Sequence, residues 1–135
     1  MRMDEGKQKV KARKKTICLD VDGTLLHYDT WRGEDHFGEP IVGAVEMTRL
    51  LRQNGWHIII HTTRGNEPKL GAYLKSKGFA FDEINKNKYQ PAGTNKGKPI
   101  ADIYVDDRAI GFRGNWGETL KEIAKFKLWY EKGKK

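Results

Sequence analysis

Three short apolar segments, each followed at once by polar residues, constrain this chain more than any other feature. They are TICL (16 to 19), HIII (57 to 60) and ADIYV (101 to 105). Apolar runs of this length, rich in β-branched residues, are typical of strands buried on both faces of a parallel sheet. Helical patterns of ten or more residues lie between strands and indicate right-handed crossovers. We therefore expect a doubly wound parallel sheet with helices on both faces.

The segments between these strands have recognisable boundaries. Pro40 introduces an amphipathic helix that ends at Asn54 and Gly55, and a second helix runs from Asn66 to about Lys77. Residues 79 to 84 can add another short strand, and the polar run that follows is a loop. A C-terminal helix is expected over 116 to 130, with Leu120 and Leu128 among its inner residues and with Trp116, Trp129 and Tyr130 in core or helix packing.

Length and composition bound the class of protein. The 135 residues fit one domain, and no apolar run approaches the length of a membrane span. Cys18 is the single cysteine, so it cannot form an internal disulfide, and within a strand it should be buried filler. Since the N-terminus also lacks the apolar segment of a secretory signal, we predict a cytoplasmic protein.

The net charge of +8 belongs to the two ends of the chain. Residues 1 to 15 carry +5, residues 132 to 135 carry +3, and residues 16 to 131 balance 16 basic against 16 acidic side chains. We expect a basic disordered tail, one domain over 16 to 131 and a short basic C-terminal tail. Such tails are commonly solvated, although they could add salt-sensitive affinity for nucleic acid.

The first strand ends in two carboxylates, Asp20 and Asp22, with Gly23 behind them. Residues two apart in an extended segment point to the same side, so these carboxylates can converge on one site. The alternative is an ordinary solvated turn. Because ligands bind outside the carboxyl ends of parallel strands, the polar residues after the other two strands favour a functional site.

Asp106 and Asp107 follow the third strand, and four ionised carboxylates in one cleft would repel one another. A cation is therefore expected among Asp20, Asp22, Asp106 and Asp107, and their hard oxygen atoms favour Mg²⁺. Thr62 and Lys98 supply a hydroxyl and a positive charge for a phosphate. These groups suit phosphoryl transfer in which Asp20 attacks phosphorus and Asp22 acts as general acid and base.

Four segments resemble the motifs of the haloacid dehalogenase-like superfamily of phosphohydrolases. They are DVDGTL (20 to 25), IIIHTTR (58 to 64), GKPIAD (97 to 102) and YVDDR (104 to 108). The resemblance implies a Rossmann-like three-layer α/β/α domain that hydrolyses phosphomonoesters through an aspartyl phosphate. It implies Asp20 as nucleophile, Asp22 as acid and base, Thr62 as phosphate ligand and Lys98 as stabilising charge. It also implies Asp106, assisted by Asp107, as Mg²⁺ ligands beside Asp20 and the backbone carbonyl of Asp22.

Several assignments remain open within this resemblance. Thr63 could replace Thr62, and Lys96 could replace Lys98. Arg64 could bind substrate or pair with an acid at the mouth of the cleft. Trp31 and Phe37 could form a substrate-facing rim or pack a surface flap. The intervals between motifs leave no room for a cap domain, so the chain looks like the small capless members of the superfamily.

Two functions other than a phosphatase of small molecules are compatible with this sequence. One is a regulatory nucleic-acid-binding protein in which the cleft is vestigial and the basic tails carry the function. The other is a phosphatase of nucleotides or polynucleotide ends, guided by those tails, since an uncapped cleft admits bulky substrates. No membrane partner is expected.

Overall fold

The computed structural model describes residues 14–95 and 97–131. Four strands form one parallel sheet in the order β3-β2-β1-β4: β1 is Thr16–Asp20, β2 is His57–His61, β3 is Glu83–Ile84 and β4 is Ile103–Val105. The helices are α1, Ala44–Gln53, α2, Glu67–Ser76, and α3, Trp116–Lys125, followed by a 3₁₀ turn, Trp129–Glu131. The predicted single-domain α/β fold with a parallel sheet is confirmed. The tail predictions for residues 1–13 and 132–135 lie outside the described residues.

Helices α1 and α2 cover one face of the sheet. Each belongs to a crossover that steps to the next strand in the same direction, from β1 to β2 and then to β3, so the right-handed rule places both on one side. Their shared core contains fully or nearly fully buried side chains: Ile17, Leu19, Ile58, Ile60, Leu70 and Leu74. Burial of each such side chain contributes about 1.5–3 kcal/mol.

The opposite face of the sheet is built differently. The connection from β3 to β4, residues 85–102, passes back across the sheet without a helix, and it buries Pro99. Cys18 and Ile59 are buried in this part of the fold, outside the core shared by α1 and α2. Burial, reinforced by the negative charges of Asp20 and Asp106, raises the pKa of the Cys18 thiol to about 12. Cys18 is therefore the unreactive buried residue that the sequence predicts.

Helix α2 has the boundaries expected from its sequence. The Oδ1 atom of Asn66 accepts a hydrogen bond from the backbone N–H of Lys69, which caps the first turn. At the other end Gly78 adopts a φ of +93°, the left-handed conformation that commonly ends a helix. No helix among the described residues is long and apolar enough to cross a membrane.

The C-terminal third of the domain differs from the expectation of buried elements. The three residues of β4, an edge strand, are 40–45% exposed. In α3, Trp116 and Leu120 are 66% and 61% exposed. The expected core packing of Trp116 and Leu120 is thus wrong. Periodicity predicts that a helix has an apolar face but does not specify which surface it contacts.

Two other elements are shorter than expected. The strand expected over 79 to 84 is reduced to Glu83–Ile84, because Phe79 and Ala80 pack into the core as part of the turn after α2. Helix α3 ends at Lys125 and not near 130, since Phe126 adopts an extended conformation. Leu128 is nevertheless buried, as expected.

Candidate active site

The candidate site lies where the order of strands reverses. The chain leaves β1 for β2 on one side, whereas β4 occupies the other side of β1. In parallel α/β sheets this switch point opens a crevice at the carboxyl ends of the two strands. Asp20 ends β1, and Asp106 and Asp107 directly follow β4. The topology therefore brings both acidic segments to one crevice.

Three of the four predicted carboxylates converge there. One carboxylate oxygen from each of Asp20, Asp106 and Asp107 lies within 4.8 Å of the other two. Asp106 is exposed, while Asp20 and Asp107 are half-buried, so the cluster has a solvent side and a protein side. The backbone N–H of Arg108 donates to Asp106 Oδ1 at 2.8 Å and orients that carboxylate.

Thr24 connects the two strand ends and was not among the predicted site residues. Its hydroxyl lies 3.2 Å from Asp20 Oδ2 and 3.4 Å from Asp107 Oδ1, and it accepts a hydrogen bond from the backbone N–H of Asp107. The signal available in the sequence was its place in the DVDGT turn. Thr24 therefore fixes the separation of two carboxylates that would otherwise repel each other.

Gly23 makes the close approach of these segments possible. It has a φ of +90°, and a Cβ atom at this position would lie 2.3 Å from Asp107 Oδ2. Any side chain here would both strain the backbone and displace the Asp107 carboxylate. Glycine is thus required by the packing of the site.

The electrostatics of the cluster fit a bound cation. Burial, a side-chain hydrogen bond with Asp107, and the charges of Asp106 and Asp107 raise the pKa of the Asp20 carboxyl to about 8. Asp107 Oδ2 is buried and accepts no hydrogen bond from any described group. A buried carboxylate oxygen without a donor, with two further carboxylates beside it, matches the coordination preference of Mg²⁺. Asp20, Asp106 and Asp107 are therefore suited to hold it.

Asp22 stands apart from this cluster because it is bound by Arg64. The Arg64 guanidinium donates from Nε to Asp22 Oδ2 at 2.9 Å and from Nη2 to Oδ1 at 3.0 Å. The Arg64 side chain is only 4% exposed. Of the two roles left open for Arg64, the structure contains the pairing with an acid, and that acid is Asp22.

Thr62 and Thr63 occupy different environments after β2. Thr62 is half-buried, its N–H donates to Asn85 Oδ1, and its Oγ1 accepts from the N–H of Arg64 at 3.0 Å. Thr63 is exposed. Asp20 on β1 lies beside His61 on β2, and Thr62 is the next residue after His61. The fixed position of Thr62 favours it over Thr63 as the hydroxyl of the site.

Lys98 is not ion-paired with a carboxylate of the cluster in the described part of the chain. Its Nζ lies 5.0 Å from the centroid of the Tyr104 ring, and its charge acts on Cys18. Tyr104 pairs with Cys18, which precedes Asp20 by two residues on the same side of β1. Lys98 therefore lies near Cys18, two residues before Asp20 along β1. The alternative residue, Lys96, lies outside the described residues.

Trp129 also belongs to the crevice. Its indole N–H donates to the carbonyl of Gly23 at 2.6 Å, and its ring is 43% exposed. Together with Thr24, Ile41 and Asp107 it lines a cleft of about 320 Å³. The expected role of Trp129 in core packing is wrong, because a 3₁₀ turn after α3 returns the chain to the end of β1.

Trp31 and Phe37 pack against Arg64. The guanidinium carbon lies 5.2 Å from the Trp31 ring centroid and 4.7 Å from that of Phe37. Arg64 Nη2 also donates to the carbonyl of His36 at 2.8 Å. Of the two roles considered for Trp31 and Phe37, the structure contains the packing of a surface flap. Arg64 connects this flap to Asp22.

Comparisons with known proteins identify a similar solved structure but no function. No protein-family model and no curated protein matches the chain. A solved structure described as a conserved protein coded by a locus from Bacteroides thetaiotaomicron is 27% identical, with a TM-score of 0.59. The match covers 91% of this chain and all of that one.

Proposed function

We propose that this chain is a Mg²⁺-dependent phosphomonoester hydrolase that acts through an aspartyl phosphate on Asp20. The observation that carries the proposal is the convergence of Asp20, Asp106 and Asp107 at the switch point of the sheet, with a buried Asp107 oxygen that lacks a donor. Exposed acidic groups alone would not require a ligand. Here burial and mutual repulsion would make the three carboxylates energetically costly without a cation among them.

The metal site consists of residues on two strand ends. Asp20, Asp106 and Asp107 would hold Mg²⁺, with the backbone carbonyl of Asp22 as the further ligand implied by the resemblance. When bound, the cation neutralises charge on the cluster and on the phosphoryl oxygens. The Thr24 hydroxyl holds Asp20 and Asp107 in place next to each other.

Asp20 is the nucleophile in this proposal. A carboxylate oxygen of Asp20 forms a bond to phosphorus as the bond from phosphorus to the substrate oxygen breaks. Asp22 donates a proton to the departing oxygen, which leaves as an alcohol. In the second step Asp22 takes a proton from water, the water oxygen attacks phosphorus, and Asp20 and inorganic phosphate are released.

Arg64 affects this proton transfer because it engages both oxygens of Asp22. An ionised partner favours the carboxylate form of an acid, so proton donation requires the pair to loosen. Of the two roles open to Arg64, binding substrate or pairing with an acid, we assign it the second, in which it positions Asp22. Thr62, with Thr63 as the exposed alternative, and Lys98 remain the proposed groups for the phosphoryl oxygens.

The test is a phosphatase assay on the full chain with Mg²⁺ and a panel of sugar phosphates, nucleotides and a chromogenic phosphomonoester. We expect Mg²⁺-dependent release of phosphate, its loss in Asp20→Asn, and retention in Asp35→Asn, whose carboxylate is 82% exposed. Acid quenching followed by mass spectrometry should place one phosphoryl group on Asp20. Full activity in Asp20→Asn would refute the mechanism.

The cytoplasm stays the proposed location, in line with a lone buried cysteine.

A further inference from the structure

A second recess lies beside the carboxylate cleft and has no role in the proposed chemistry. Its volume is about 540 Å³, which is within the range of small-molecule sites. Most of its lining residues carry aromatic rings: His27, Tyr28, His36, Phe37 and Tyr130. Three of the eight lining residues are Phe or Tyr, whereas Phe, Trp and Tyr together make up 10% of the chain.

The recess adjoins the carboxylates through two consecutive residues. Trp129 lines the carboxylate cleft and donates to the carbonyl of Gly23, while Tyr130 lines the recess. Their rings meet edge to face, with centroids 5.7 Å apart. A substrate with its phosphate at the carboxylates therefore has the recess next to it.

The walls of the recess are held in place by hydrogen bonds and stacking. The N–H of His27 donates to the carbonyl of Glu39 at 2.8 Å, which closes the loop between them. Phe37 stacks on Tyr73 with centroids 4.7 Å apart, and the Tyr73 hydroxyl donates to the carbonyl of Gly38. Binding would therefore require little ordering of the loop.

Charge limits what the recess can accept. Within the described part of the chain, Asp29 and Glu39 line it and no Lys or Arg does. Asp29 pairs with Arg32 and Glu39 pairs with Lys77, and both acids remain more than half-exposed. The exposed oxygen atoms of these carboxylates can accept from N–H or O–H donors of a ligand.

We infer that the recess binds the nucleobase of a nucleoside monophosphate whose phosphate is cleaved at Asp20. Cleavage of the phosphate in this inference rests on the proposed function. Binding of the base does not depend on it. A planar base suits a recess with aromatic walls, and its amino group or ribose hydroxyls suit the two carboxylates. The same chemistry is presented by a free nucleotide and by the phosphorylated end of an oligonucleotide.

The experiment compares adenosine 5′-monophosphate with ribose 5-phosphate, in which a hydroxyl replaces the base. In the full chain with Mg²⁺ we expect kcat/KM to be at least about tenfold higher for the nucleotide. Tyr130→Ala and Tyr28→Ala should each lower that ratio at least several-fold. Tyr89→Ala is the control, because Tyr89 is 58% exposed and contacts His57 at the opposite end of β2.

A binding measurement separates this inference from the proposed function. Adenosine, which has no phosphate, should bind the wild-type chain and Tyr89→Ala in calorimetry, and should bind Tyr130→Ala and Tyr28→Ala several-fold more weakly. Circular dichroism confirms that each variant is folded. Absence of adenosine binding, or equal kcat/KM for the two substrates, would overturn the inference even if Asp20→Asn abolishes hydrolysis. If adenosine binds and no substrate is hydrolysed, the recess is supported and the proposed reaction fails.

Two further substrates distinguish the source of the base. A short oligonucleotide with a terminal phosphate is compared with the mononucleotide in the same assay. Faster turnover of the oligonucleotide would assign polynucleotide ends, and faster turnover of the mononucleotide would assign free nucleotides. Ribose 5-phosphate faster than both would contradict the inference.

Discussion

Arg64 and Asp22 form a two-pronged ion pair, with 2.9 Å from Nε to Oδ2 and 3.0 Å from Nη2 to Oδ1. The same guanidinium donates to the carbonyl of His36 and lies over the ring of Phe37. One side chain thereby joins the end of β1, the end of β2 and the aromatic flap. Through this ion pair, the position of Asp22, the proposed acid and base, is coupled to the stability of the aromatic flap.

Arg64→Lys should destabilise the fold although the charge is kept. An ammonium cannot reproduce the planar fork, so at least one carboxylate oxygen and the carbonyl of His36 lose a donor. We expect a loss of about 1–3 kcal/mol in the free energy of unfolding, measured by urea denaturation. Arg32→Lys is the matched control, because its pair with Asp29 is about half-exposed and should contribute less than about 1 kcal/mol. Equal losses in the two variants would contradict the role of Arg64.

Gly23→Ala and Gly43→Ala separate backbone strain from displacement of Asp107. Both glycines have a φ of +90°, so both substitutions should cost about 1–2 kcal/mol in folding. A Cβ at Gly23 meets Asp107 Oδ2, whereas a Cβ at Gly43 meets open space. Only Gly23→Ala should therefore weaken Mg²⁺ binding, which calorimetry can measure. Similar Mg²⁺ affinities in the two variants would count against Asp107 as a ligand.

Mg²⁺ should raise the melting temperature of the wild-type chain. Binding at a hundred times the dissociation constant stabilises the folded state by about 2.7 kcal/mol, which corresponds to a rise of roughly 10 °C. Asp106→Asn removes one converging carboxylate and should remove most of that rise. Asp35→Asn, in which an exposed carboxylate is changed, should retain it. A rise of the same size in Asp106→Asn would place the cation elsewhere.

Much of the site could be predicted from the sequence because it follows from strand ends. Asp20 ends β1, Thr62 and Asp106 directly follow β2 and β4, and parallel strands present those ends at one edge. Local periodicity and helix-capping signals were sufficient to find these strands and the ends of α2. Convergence of the carboxylates then required only the topology.

The parts that could not be predicted depend on contacts distant in the sequence. Trp129 reaches Gly23 across 106 positions, and Arg64 reaches Asp22 across 42. Nothing in a local pattern reveals which acid an arginine will meet or where a turn after a helix will lead. The same limit applies to α3, whose amphipathic sequence is compatible with several orientations of its apolar face.

Leu74→Ala and Leu120→Ala test the observed difference between buried and exposed leucines. Leu74 is fully buried between α2 and the sheet, so its truncation should cost about 2–5 kcal/mol. Leu120 is 61% exposed, so its truncation should change stability by less than about 0.5 kcal/mol. Both are measured by thermal or urea unfolding. A large loss in Leu120→Ala would show that the face of α3 is covered in solution.

Removal of residues 1–13 tests whether the basic N-terminus guides a polyanionic substrate. These residues contain five Lys or Arg and two acids, a net charge of +3. The deletion stops before Lys15, whose carbonyl accepts a hydrogen bond from His57. At low salt we expect kcat/KM for a phosphorylated oligonucleotide to fall on the order of tenfold, with a weaker dependence on salt.

Hydrolysis of a chromogenic phosphomonoester by the same deletion should be unchanged, since a small substrate makes no extended phosphate contacts. Equal turnover of the oligonucleotide with and without residues 1–13 would show that this tail does not guide the substrate.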